Sequence, residues 1–103
     1  MSLAPIIAER LPAIRELCRE LGISRLWVFG SVARGDWTPG RSDVDFLVEL
    51  SSDICPADQL LGLYAGLTDM FPCRIDLVSM RAVKNQLFRA ELEETRVPLY
   101  AAA

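Results

Sequence analysis

The sequence predicts a small α/β (α+β) domain, a mixed β-sheet of three to four strands with helices packed on it. Three observations point there. Stretches with apolar residues at helical spacing alternate with short runs of strand character along the chain. Leu26-Trp27-Val28-Phe29 is apolar on both faces, the pattern of a strand buried in the middle of a sheet. Val44, Phe46, Val48 and Leu50 alternate with Asp43, Asp45 and Glu49, which makes a period-two strand with one apolar face. A chain of 103 residues that is 51% hydrophobic suits one domain over 1–103, with a substantial core and no room for a second.

The elements follow in order. Leu11, Ile14, Leu17, Cys18 and Leu21 recur at helical spacing, and Gly22 stands where a helix-ending glycine belongs. Pro12 either starts this helix or breaks a longer one that begins near Pro5. A buried strand over 26–29 leads into a short helix from Ser31 to about Gly35, and Thr38-Pro39-Gly40 signals a turn. After the Asp43–Leu50 strand, Pro56 and Asp58 open a helix to about Phe71. Arg74 to Val78 reads as a strand lying beside the Asp43–Asp45 one. Val83 to Thr95 reads as a helix with Val83, Leu87, Ala90 and Leu92 inward, and Val97 to Tyr100 is extended.

Composition narrows the chemistry. Histidine is absent, which removes Ser-His-Asp catalysis, His-ligated zinc and His general bases. A net charge of -3 argues against broad nucleic-acid binding. Cys18, Cys55 and Cys73 are odd in number and widely spaced, and read as buried thiols in a reducing compartment. No apolar run approaches the ~20 residues that span a bilayer, and no signal-like segment opens the chain, so a cytoplasmic protein is expected.

What remains is carboxylate and phosphate chemistry. A glycine-serine turn at Gly30-Ser31 opens a helix, whose first backbone N–H groups face outward to an anion. Only glycine at position 30 lets the backbone approach a ligand closely. Asp43 and Asp45, at i and i+2 of a strand, point the same way and stand about 6.5–7 Å apart. Carboxylates so placed can bracket two metal ions about 3.5–4 Å apart, the arrangement that clamps attacking and leaving oxygens in phosphoryl transfer. Magnesium suits oxygen ligands shared with substrate phosphates. The pattern describes a site for a metal-bound nucleoside triphosphate.

The run Phe29-Gly-Ser-Val-Ala-Arg-Gly-Asp-Trp-Thr-Pro-Gly-Arg-Ser-Asp-Val-Asp-Phe-Leu-Val48 resembles the signature of the DNA polymerase β nucleotidyltransferase superfamily. More narrowly, it is similar to the minimal nucleotidyltransferase (MNT) group, the MntA-like antitoxins of HEPN/MNT toxin–antitoxin pairs. The resemblance implies a polymerase β-like nucleotidyltransferase core. It implies Asp43, Asp45 and Asp76 as catalytic and metal-binding residues, with Asp76 helping to deprotonate the attacking hydroxyl. Gly30 and Ser31 would hold the β- and γ-phosphates, and Arg34 and Arg41 are phosphate or partner contacts, or else surface charge. The implied activity is Mg-dependent transfer of AMP from ATP, with two magnesium ions, to a hydroxyl on a HEPN-type toxin. The alternative is a non-catalytic antitoxin that neutralises its partner by binding alone.

Some features stay open at this level. Leu60, Leu61, Leu63, Tyr64, Ala65, Leu67, Met70 and Phe71 wrap most of the 58–71 helix. They make either an interface for a homo- or hetero-oligomer or a helix fully buried beneath the C-terminal one. Trp37 and Tyr100 either stack a base or pack at the core or rim. Lys84 reads as a solvated helix residue.

Overall fold

The computed structural model describes residues 3–38, 43–51 and 55–102. Its elements are α1 (Pro5–Ala8), α2 (Leu11–Leu21), β1 (Arg25–Phe29), α3 (Gly30–Arg34), β2 (Val44–Glu49), α4 (Pro56–Met70), β3 (Ile75–Ser79), a 3-10 turn at Met80–Ala82, α5 (Gln86–Thr95) and β4 (Val97–Ala101). The strands form one mixed sheet in the order β3-β2-β1-β4. β1 runs antiparallel to β2 and β4, whereas β2 and β3 are parallel, joined by a crossover through α4. The α/β architecture and four strands match the expectation, and β3 lies beside β2 as the sequence required.

Pro12 starts a helix here and breaks none: it occupies the first turn of α2, where its missing N–H costs nothing. Gly22 ends α2 in the left-handed region at φ 72°, and the Ile23 N–H closes back on the Cys18 carbonyl at 3.0 Å.

Strand alternation sorts the side chains onto two faces. One face carries Leu26, Val28, Val44, Phe46, Val48, Ile75 and Leu99 into the main core, together with Ile7, Ile14 and Cys18 from α1 and α2 and Leu63 and Leu67 from α4. Phe46 meets Phe71 edge to face at 5.7 Å. α4 lies close against α2 because Gly62 and Gly66 face it: a Cβ on Gly66 would come within 2.5 Å of Leu17 Cδ2, and one on Gly62 within 2.8 Å of Leu21 Cδ2. The buried amide of Gln59 is satisfied by the Ser51 backbone, accepting from its N–H at 3.0 Å and donating to its carbonyl at 3.4 Å. The opposite face holds a smaller cluster of Trp27, Leu47, Val83 and Leu92 beneath α5. Arg96 closes it, its guanidinium 4.3 Å from the centre of the Trp27 ring.

Two expectations need correction, and one open alternative is decided. The last helix begins at Gln86, capped by the Asn85 side chain, and not at Val83. Val83 is buried from the extended segment after the 3-10 turn, so the inward face of α5 is set by Leu92, while Leu87 is 83% exposed and Ala90 is also outside. Second, Cys55 is exposed at the N-cap of α4; Cys18 is buried and Cys73 half-buried. Of the two alternatives for α4, burial beneath the C-terminal helix fails, because the two helices lie on opposite faces of the sheet: Leu61 is 69% and Tyr64 47% exposed.

β4 forms one edge of the sheet. Its register with β1 shifts between Leu26 and Trp27, leaving Leu99 without a cross-strand partner. The Arg15 guanidinium donates to the Leu99 carbonyl at 3.1 Å. Among the described residues, no helix is long and apolar enough to cross a membrane.

Candidate active site

The carboxylates gather where β1 turns into α3. Phe29 is extended, and Gly30 follows at φ 72°, a left-handed conformation that lets the chain swing into α3 at once. That turn presses the Gly30 backbone onto Asp45. A Cβ at position 30 would collide with Asp45 Oδ2 and lie 3.1 Å from its Cγ. Gly30 is therefore required twice, by its dihedral and by its neighbour.

Asp45 is also the cross-strand partner of Asp76 in the parallel β2–β3 pair. Facing residues of adjacent strands lie about 4.8 Å apart, so both carboxylates rise from one face. Asp43, two residues before Asp45, shares that face at the mouth of β2. Farther along it, Leu47 is fully buried under α5, which confines the polar part to the Asp43 end.

The electrostatics follow from this placement. Burial pushes the half-buried Asp45 carboxyl above its ordinary range, the charges of Asp76 and Asp43 push it further, and Arg34 pulls it back. The site thus carries more negative charge than its own residues compensate. Arg34 is half-exposed with its Nε 3.5 Å from Asp36 Oδ2, and Ser31 sits in the first turn of α3. Arg41, the other arginine singled out in the sequence, lies outside the described residues.

Among the described residues, no three acidic, cysteine or histidine side chains form a ready-made metal cage. The donor set still fits magnesium. It consists of carboxylate oxygens without thiolate or imidazole competitors, and magnesium is usually held by one or two carboxylates plus waters and substrate phosphates.

Two aromatic residues beside the site have no site role in the sequence reading, which places Phe29 only in the buried strand and does not single out Phe88. Phe29 pairs with Asp45 across β1 and β2, and Phe88 on α5 meets Phe29 edge to face. The signal was present in the i, i+4 relation of Phe88 to Leu92. Extending the helix back to Val83 rotated the expected face by one residue and hid it. Trp37 and Tyr100 both pack against the main core.

Residues 11–99 match the family model for the nucleotidyltransferase domain. The chain is 28% identical over 80 residues to the protein named Putative protein adenylyltransferase from Methanocaldococcus jannaschii, a match that covers 78% of this chain and 80% of that one. A solved structure described as a putative minimal nucleotidyltransferase superposes with a TM-score of 0.67 at 32% identity, covering 90% of this chain and 92% of that one. The tri-AMPylated HEPN toxin of Shewanella oneidensis in complex with its MNT antitoxin provides a further neighbour, with a TM-score of 0.64 at 18% identity and 92% and 72% coverage. The chain belongs to the nucleotidyltransferase domain family. It is a nucleotidyltransferase of the minimal type, and among its structural neighbours are MNT antitoxins bound to HEPN toxins.

Proposed function

We propose that the chain, acting as one minimal nucleotidyltransferase domain over 1–103, transfers AMP from Mg-ATP to a hydroxyl on a partner protein in the cytoplasm. The proposed partner is a HEPN-type toxin, and the chain is its antitoxin. The observation that carries the reading is the convergence on Asp45 of the Gly30 backbone from one side and the Asp43 and Asp76 charges from the others. The protein adenylyltransferase relative and the AMPylated toxin of the Shewanella oneidensis complex support adenylyl as the transferred group and a protein as the acceptor.

The acceptor oxygen bonds to the α-phosphorus, the bond from that phosphorus to the bridging β-oxygen breaks, and pyrophosphate leaves. Backbone N–H groups at Gly30-Ser31 and the Ser31 hydroxyl orient the β- and γ-phosphates, and Arg34 is placed to leave Asp36 for a phosphate oxygen. Asp43, Asp45 and Asp76 would hold magnesium, which when bound neutralises the triphosphate charge and polarises the reacting phosphoryl group. Asp76, the most exposed of the three, can accept the proton of the acceptor hydroxyl.

A second reading is favoured by α4, which carries Leu61 and Tyr64 on its outer side, on the far face of the sheet from the carboxylates. A surface of that kind suits neutralisation by complex formation alone. Incubation with labelled ATP, magnesium and the protein of the neighbouring reading frame separates the two. Label on the neighbour that disappears in Asp43→Asn and Asp45→Asn supports transfer. Neutralisation that persists unchanged in those variants supports binding.

A further inference from the structure

Phe29 and Phe88 stand on the carboxylate face beside the site, and the transfer chemistry gives them no task. Phe29 directly opposes Asp45 across the antiparallel pair, which puts its ring on the same face as that carboxylate. Phe88 packs against it with ring centroids 6.4 Å apart and planes at 74°. Even so, Phe88 keeps 40% of its surface exposed. The backbone that carries the ring is capped: Asn85 accepts hydrogen bonds from the Leu87 and Phe88 N–H groups at 2.9 and 3.1 Å, fixing the first turn of α5. α5 also touches α3, which begins at the residue after Phe29.

We infer that Phe88 is the platform on which the base of the nucleotide stacks, with Phe29 backing its ring. The inference rests on the nucleotidyltransferase reading above and deepens it by assigning the residue that recognises the nucleoside. A nucleobase is apolar on its faces and polar at its rim, so it covers an exposed ring without stranding hydrogen-bonding groups. Phe29, on which the Phe88 ring packs, directly precedes Gly30-Ser31 at the end of β1, so a nucleotide whose phosphates sit at that turn brings its base to this side. A phenyl face reads area and not donors or acceptors, and the Asn85 side-chain oxygen is already committed to the helix cap. Purines are therefore favoured over pyrimidines, while adenine and guanine are separated weakly.

Calorimetric titration of the chain with Mg-ATP, Mg-CTP and Mg-tripolyphosphate tests this, because tripolyphosphate probes the phosphate and carboxylate site without a base. Mg-ATP should bind about tenfold more tightly than Mg-tripolyphosphate, with Mg-CTP between them. Phe88→Ala should erase that advantage and leave tripolyphosphate binding unchanged. Phe88→Trp should restore it and show indole quenching by Mg-ATP. Phe88→Leu, which keeps apolar bulk for packing, should lose most of it and serves if the alanine variant fails to fold. An ATP advantage that survives in Phe88→Ala and Phe88→Leu overturns the platform while leaving the nucleotidyltransferase site intact. So does a Phe88→Ala chain with normal ATP affinity that no longer binds its protein partner, which would assign the ring to that interface. If neither ATP nor tripolyphosphate binds the wild type, the site reading itself fails and the platform with it.

Discussion

The two faces of the sheet are built from the same strands and do opposite things. On one, every inward residue of β1 and β2 is apolar and buried beneath α2 and α4, with Phe46 at its centre. On the other, the apolar part shrinks to a cluster of four buried residues under α5, and the end that α5 leaves open holds Asp43, Asp45 and Asp76. The first face supplies the stability that the second spends on a half-buried carboxylate surrounded by like charges. A site of this kind needs a rigid backing, because the register of β2 on β3 is what sets Asp45 beside Asp76.

That division predicts distinct responses to substitution. Phe46→Ala should cost about 3–5 kcal/mol of unfolding free energy, read by denaturant titration, since it empties the middle of the larger core. Asp45→Asn should lower adenylyl transfer by about 10²–10³-fold, a loss of the size seen when one electrostatic transition-state contact is removed. In chelator, the same variant should melt a few degrees higher than wild type, because a half-buried charge facing two others has gone. A melting point that falls instead would break the contrast between the faces. Leu92→Ala should cost about 2 kcal/mol, the low end for a buried leucine, since α5 can settle onto the smaller cluster. Arg96→Ala should cost about 0.5–2 kcal/mol through the lost contact with the Trp27 ring. Leu61→Ser, on the exposed side of α4, should change stability by no more than about 0.5 kcal/mol, so any larger effect on a partner complex is an interface effect. Thiol labelling gives the finest test. Cys55 should react first, and Cys18 last, because burial pushes its thiol up to about 12 and keeps it protonated at neutral and mildly alkaline pH.

Local pattern carried much of this structure. The alternation Val44 to Leu50 named both the core face and the acidic face, because a strand has only two sides. Gly22 marked the end of α2 correctly, since it acts through its own backbone, whereas Pro12 alone left the start of α2 open between two readings. The carboxylates were legible because their separation is set by two residues of strand and their partner Asp76 by a single neighbouring strand. What stayed hidden depended on distant parts of the chain. The place of β4 beside β1 is a non-local pairing. The glycines of α4 make sense only once Leu17 and Leu21 are seen against them. The phase of α5 depended on Asn85, whose capping role ends the extended segment that buries Val83; without it, Leu87 was placed inward and Phe88 overlooked.

The outer rim of β4 has a consequence for how the molecule behaves in a crowded solution. A bare strand margin invites another chain to zip alongside it and seed fibres. Here Pro98 has no amide hydrogen to offer, the bulge at Leu99 breaks the even spacing, and Arg15 already occupies that carbonyl. This margin is therefore a poor template on which a second copy of the chain could extend the sheet.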